Sequence, residues 1–399
     1  MDKFEQQKRL GIFFSLYIAQ SIPMSFFSTV IPVLMRQENF SMTTITLLQL
    51  IKVPWLIKFF WSPLVDRNTD SLRSYKKWIF SSELCYAALI VGVSILDIKT
   101  DMILIAVLIL LSFIASATQD IATDALAVRS FDRKNKSMVN SMQSMGSFAG
   151  TLVGSGVLLL IYKNVGWGIV LPCLAVFVML AIIPLMLQKR DTPLIAKHTK
   201  ANKGDLISFF KQKGISKQII YLVLSYSGLI GILSTLRPYM VDLGYTITEI
   251  GLISGIIGTG CGFVASYFGG RIIKKYGRYR SRIIFSVAAL ATASYFLIFS
   301  LFKDCGHAIY LGVCFLWASY GLSTVVVYTT SMDKSREGRE GTDFTIQTVI
   351  THLSSMIIAI FSGKLIDSFG ITTLYSVEVL LTIVTLVFSI FAFRVKRRR

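Results

Sequence analysis

Ala117-Thr-Gln-Asp-Ile-Ala-Thr-Asp-Ala-Leu-Ala-Val128 sets two acids, Asp120 and Asp124, inside a stretch otherwise apolar enough to cross a bilayer. A spacing of four residues puts both carboxylates on one face of a helix. A charged side chain in hydrocarbon is costly, so it faces a water-filled path or a partner. The pair therefore marks either a route for a solute or ion, or an ion pair between neighbouring helices. The apolar run around it, 102–128, is long enough to span the hydrocarbon core.

Runs of the same kind fill the chain. Of its 399 residues 53% are hydrophobic and 16% charged, which excludes an ordinary soluble domain. Twelve spans are expected, at 11–34, 41–62, 76–96, 102–128, 138–161, 167–187, 218–240, 247–269, 282–302, 308–331, 343–366 and 371–393. Lipid offers backbone groups no water, so runs of this length must be helices. The expected fold is an all-α membrane protein of two six-helix bundles, 1–187 and 218–399, joined by a linker at 188–217.

The formal charge of +19 would suggest nucleic acid in a soluble chain, but its distribution gives it another meaning. With the N-terminus inside, all but eight of the 41 Lys and Arg fall on the cytoplasmic side. The exceptions are Arg36, Lys99, Lys163 and Lys303 outside, and Lys52, Lys58, Arg237 and Lys364 within spans. This asymmetry places both termini in the cytoplasm. The chain is expected in the cell membrane (the inner membrane of a Gram-negative cell), with the basic tail Arg394–Arg399 against anionic lipid and no nucleic-acid partner. The first span is too long for a cleavable signal and lacks a small-residue cleavage site. Five scattered cysteines and three dispersed histidines, His198, His307 and His352, predict neither a disulfide framework nor a metal site.

The halves echo one another at an offset of about 207 residues, within the plan of parallel transporter repeats. Thr29-Val-Ile-Pro32 matches Thr235-Leu-Arg-Pro238, and Ser62-Pro-Leu-Val-Asp-Arg67 matches Gly270-Arg-Ile-Ile-Lys-Lys275. Ser155-Gly156 with Gly166 matches Ser362-Gly363 with Gly370. One offset at three places argues for duplication. Ser62 to Arg67, followed by Arg73, Lys76 and Lys77, resembles the signature loop of the major facilitator superfamily. That resemblance covers essentially the whole chain. It implies that Asp66 lies against the N-terminus of the eleventh helix and, with Arg67, helps to close the cytoplasmic gate. It also implies that the fifth and eighth helices meet between the halves. Gly150, amid Gly146 and Gly154, and Gly255, amid Gly251, Gly258 and Gly262, would then form sliding faces.

Lys52-Val-Pro-Trp-Leu-Ile-Lys-Phe-Phe-Trp-Ser-Pro-Leu-Val-Asp-Arg67, taken with Ala117 to Asp124, resembles the AmpG branch. That branch includes muropeptide permeases and acetyl-coenzyme A transporters, with ferric-siderophore permeases among its relatives. Leu236-Arg-Pro-Tyr-Met-Val-Asp-Leu-Gly244 leans toward the siderophore permeases, and Tyr226-Ser227-Gly228 stands where AmpG-like proteins tend to carry an acid.

Several polar residues within spans become candidates for binding solute. Lys52 and Arg237 either meet a substrate anion or pair structurally, while Lys58 either snorkels or pairs with Asp124. Gln20, Gln119, Asn140, Gln143, Tyr226, Tyr320 and His352 could supply hydrogen bonds to a bulky polar solute, or hold helices together. Asp120 and Asp124 are the candidates for proton coupling, Asp120 first because it lies about one turn deeper from the cytoplasmic end. The expected activity is proton-coupled import of a bulky polar or anionic solute by a monomer without a cofactor. Export, or drug pumping, fits the same fold. An acyltransferase using His352 is the enzyme alternative, and it lacks a nucleophile–base pattern.

Overall fold

The computed structural model describes residues 3–37, 53–97, 100–188, 201–202, 204–301 and 308–394. Two compact units emerge: residues 1–208 with 335–349, and residues 209–334 with 350–399. Among the described residues every regular element is helical.

The first unit runs through α1 (Lys3–Gln37), α2 (Val53–Ile57), α3 (Ser62–Arg67), α4 (Leu72–Ser94) and α5 (Met102–Ser130). It continues with α6 (Lys136–Leu152), α7 (Leu158–Val165), α8 (Trp167–Ala181), α9 (Ile183–Met186) and α10 (Asp205–Phe209). The second contains α11 (Ile215–Ser225), α12 (Ser227–Asp242), α13 (Ile247–Ile250), α14 (Thr259–Leu301) and α15 (Ala308–Met332). α16 (Glu340–Phe369) starts in the first unit and ends in the second, and α17 (Ile371–Ala392) closes the chain. Each expected span has its helical counterpart except that the second is described only from Val53.

The solvent-side pattern identifies the surroundings. On α5, Leu104, Val107, Leu111 and Ile114 form an exposed stripe at helical spacing, and Leu380, Ile383, Val384 and Val387 do the same on α17. A helix facing water would present charges there. Eight described helical stretches are long and apolar enough to cross a membrane. Inside the first unit, Phe26, Phe27, Tyr86, Ile90, Phe113, Leu171 and Leu174 form the apolar core. Leu229, Ile232, Phe296, Leu316 and Tyr375 do so in the second.

The echo between halves extends to backbone conformation. Gly166 (φ 79°, ψ 178°) and Gly370 (φ 82°, ψ 170°) each precede a helix in the same extended, positive-φ geometry, which only glycine adopts without strain. Gly277 (φ 79°, ψ 168°) repeats it and bends α14 into two helices, where separate eighth and ninth spans were expected.

The glycine faces do different things from each other. Gly146, Gly150 and Gly154 turn toward α1 within their own unit: a β-carbon at Gly146 would come 2.7 Å from Tyr17 Cβ, and one at Gly150 would strike Ser21. The face that carries Gly150 meets α1, and its missing side chain lets α1 and α6 approach closely. Gly255 has nothing described within 4 Å of where its side chain would begin. Both glycine-rich stretches continue as wider π-helix, Val153–Val157 after α6 and Gly251–Gly258 before α14. Such segments occur often at functional positions.

Candidate functional site

α5 brings the polar side chains of the first unit into one seam. From Gln119 to Arg129 it is buried all round, so its acids are enclosed by protein. Ser112, Ser116, Asp120, Thr123 and Asp124 recur at three- and four-residue intervals along one face. α1 adds Tyr17 and Gln20, and α6 adds Asn140, Gln143 and Ser144, all buried.

A single 3-10 turn, Lys58–Phe60 between α2 and α3, delivers the cation. Lys58 is 1% exposed, its ammonium lies 4.8 Å from the Trp55 ring centre, and it forms an ion pair with Asp120. The expected pairing with Asp124 is corrected. Asp124 instead accepts hydrogen bonds from Tyr17 Oη (2.7 Å) and Gln143 Nε2 (3.2 Å). Arg129, one turn beyond Asp124 on α5, turns to Glu340 (4.0 Å), the Thr69 carbonyl and the Tyr75 ring. One lysine thus pairs with one of two acids a turn apart. With both acids ionised the seam carries one uncompensated negative charge in a low-dielectric interior, which is costly.

Polar capacity remains at this seam. Gln20 Nε2 donates to Gln119 Oε1, yet Gln119 Nε2, Thr123 Oγ1, Gln143 Oε1 and Ser144 Oγ are buried with no hydrogen-bond partner among the described residues. Buried polar atoms are nearly always satisfied, so this group calls for water or solute. Asn140 donates to the Lys136 carbonyl (2.6 Å) on its own helix.

The other candidates lie elsewhere. Lys52 falls outside the described residues. In the second unit Tyr226 occupies the break between α11 and α12, and its ring centre lies 5.3 Å from that of Tyr320. The single seventh span expected at 218–240 is interrupted there. Arg237 is exposed and donates to Ser254 Oγ at 3.5 Å, and His352 is exposed on α16.

A separate charged cluster closes one end of the first unit. Asp66 is 2% exposed and caps α16: Gly341 N–H donates to Oδ1 (2.9 Å), while the Thr342 N–H and hydroxyl both donate to Oδ2 (2.6 Å). A helix N-terminus leaves N–H groups without intrahelical partners and favours an acid. Burial pushes the Asp66 carboxyl up to about 7 against these hydrogen bonds, which pull it down. Arg67 is exposed and takes no part in this cap. The sequence reading missed the neighbouring node, in which Arg336 holds Asp343 through two bonds of 2.7 Å and also reaches the Asp205 carbonyl and Ser208. Arg339 pairs with Asp205 at 2.6 Å. Alternating charges at 336–343 were the signal for it.

The family model of the Major Facilitator Superfamily matches residues 12–359. The chain belongs to the major facilitator superfamily. Among curated relatives, the anhydromuropeptide permease of Escherichia coli strain K12 is 22% identical over 376 residues, covering 93% of this chain and 77% of the permease. A Rickettsia conorii protein that carries the AmpG 4 transporter name is 22% identical over 385 residues, 92% of each chain. In fold, the fucose:proton symporter of E. coli aligns with a TM-score of 0.75 at 14% identity over 97% of this chain and 99% of that one. The human organic anion transporter MFSD10 gives 0.75 at 10% identity over 98% and 100%. The superfamily fold expected from the sequence is shown, AmpG-named proteins are among the chain's relatives, and the chain is a multi-pass membrane transporter rather than an enzyme.

Proposed function

We propose that this transporter imports an anhydromuropeptide-like solute, bulky and polar, coupled to the downhill entry of protons. The observation that carries the reading is the buried Lys58–Asp120 pair with Asp124 one turn beyond it. Lys58 balances Asp120, so a proton arriving at Asp124 removes the remaining charge of the seam. The donors and acceptors left on Gln119, Gln143 and Ser144 lie beside it, where a solute's hydroxyl and amide groups would satisfy them. Similarity to the anhydromuropeptide permease supports the class of solute. Asp66 and the N-terminus of α16 act as the gate on the basic, cytoplasmic side, and alternating access moves the two halves. A single charge crossing about 100 mV yields roughly 2.3 kcal/mol, enough for some fiftyfold accumulation.

The test is uptake of labelled anhydromuropeptide into proteoliposomes with and without an imposed pH gradient. Wild type should accumulate it only with the gradient. Asp124→Asn should lose accumulation but keep solute exchange at equilibrium, whereas Asp120→Asn should impair both by stranding Lys58. Equal uptake with and without the gradient would reject proton coupling. If Asp120→Asn alone showed the selective loss, the proton site would move to Asp120.

A further inference from the structure

The second unit buries an acid of its own. Glu378 on α17 is 1% exposed, and a β-carbon added at Gly231 of α12 would strike its Oε1. One at Gly228 would come 2.9 Å from the Glu378 carbonyl oxygen, so two glycines shape the notch in which the acid sits. Its polar surroundings are sparse. Ser362 Oγ of α16 lies 3.4 Å from Glu378 Oε1 but 2.8 Å from the Ile358 carbonyl. A hydroxyl has one hydrogen, and the shorter contact takes it, leaving the Ser362 oxygen to accept rather than donate. Oε2 has no partner among the described residues.

Among the described residues no cation offsets this acid. α12 presents Gly228 and Gly231, and the nearby Ser234 and Thr235 hydroxyls are committed to the Gly231 carbonyl. α17 places Tyr375 one turn before it and Thr382 one turn after it, the latter bonded to the Val379 carbonyl. α14 meets this region through Phe296, whose ring centre lies 5.6 Å from that of Tyr375. The α11 contact nearby is the Leu224 carbonyl, which accepts from Thr385. An ionised carboxylate here would have neither a cation nor a committed donor, whereas a neutral acid can donate to Ser362.

We propose that Glu378 is a second proton-binding site, holding a proton against the Ser362 oxygen while Gly228 and Gly231 of α12 are seated on it. Loss of that proton forces the carboxylate toward water and unseats α12 just beyond its break at Tyr226. The proposal deepens the proton-coupled reading and rests on it for its role in transport, but occupancy of the site can be measured without any solute.

Infrared difference spectra of wild type and Glu378→Gln in liposomes give that measurement. At neutral pH an ordinary glutamate is ionised. Wild type should show the carbonyl stretch of a protonated acid that Glu378→Gln lacks; identical acid bands would overturn the proposal. The uncharged amide of that variant resembles the neutral acid, so a second outcome follows. A group held neutral by the fold stabilises it below the unfolded pKa and loses that contribution as pH rises through the folded one. Glu378→Gln should therefore match wild type in thermal midpoint at mildly acid pH and exceed it at alkaline pH. A lower midpoint at every pH would overturn the proposal. If Glu378→Gln does not insert, Ser362→Ala should shift the acid band, and an unmoved band would count against the site. Gradient-independent uptake alongside an intact acid band would defeat the transport reading and leave the site standing.

Discussion

The two units are built on repeated helices, yet they fill their interiors with different chemistry. The first buries a lysine from the turn between α2 and α3 against two acids of α5, with several amides of α1, α5 and α6 around them. At the broken helix of the second stand two tyrosine rings, and its acid, Glu378, has a serine beside it and no cation among the described residues. Duplication fixes where helices bend and approach, as Gly166 and Gly370 show, but leaves the side chains between them free to diverge. The ionic half resists losing a partner; the aromatic half depends on packing. Glycine separates the units too, because Gly150 is pressed against α1 while Gly255 has nothing described beside it.

The largest effect is expected at the ion pair. Lys58→Met strands Asp120 in the interior and should cost about 3–5 kcal/mol in unfolding measured in detergent micelles. Adding Asp120→Leu should restore most of that loss, since a buried pair replaced by apolar groups is often neutral. A small single-variant loss would place water at Lys58 and weaken the contrast between units.

Next come the glycines. Gly150→Leu drives a side chain into the backbone of α1, where Ile22 N already lies 2.9 Å from the added β-carbon, and should lose at least about 1–3 kcal/mol or fail to fold. Gly255→Leu should retain the wild-type midpoint, and any defect should appear in transport alone. Equal stability of both variants would erase the difference between the faces.

Asp66 gives a pH-dependent effect of about a few kcal/mol at most. With its carboxyl raised to about 7, its contribution is fully present below the ordinary aspartate range and is lost as pH rises through 7. The advantage of wild type over Asp66→Asn should therefore shrink between mildly acid and mildly alkaline pH, as read by thermal midpoints. A difference that grows with pH would show that the hydrogen bonds from Gly341 and Thr342 dominate over burial. The smallest effect belongs to the aromatic pair: Tyr320→Leu should cost about 0.5–1.5 kcal/mol beyond lost area. A much larger loss would give the tyrosines a structural share comparable to that of the ion pair.

Much of the site was legible because its residues violate their surroundings. Asp120 and Asp124 stand out among apolar neighbours, and so does Glu378, which the same rule would have found in the last span. Partners were not legible. Lys58 reads equally well toward either acid, since a one-turn difference in depth depends on the 3-10 turn that carries it. Nothing in Gly146, Gly150 and Gly154 says which helix their face meets.

By itself the sequence determined what lipid makes compulsory. Apolar runs of spanning length must become helices, basic loops bias orientation, and repeated motifs at one offset imply a repeated architecture. The tertiary structure alone decided which cation meets which acid, which helix lies against a glycine face, and which N–H and hydroxyl groups of α16 bond to Asp66, some 275 residues away. The physical reason is range. Hydropathy and helical period are summed over one segment, whereas ion pairs and hydrogen bonds depend on a few ångströms between segments that the chain order leaves free.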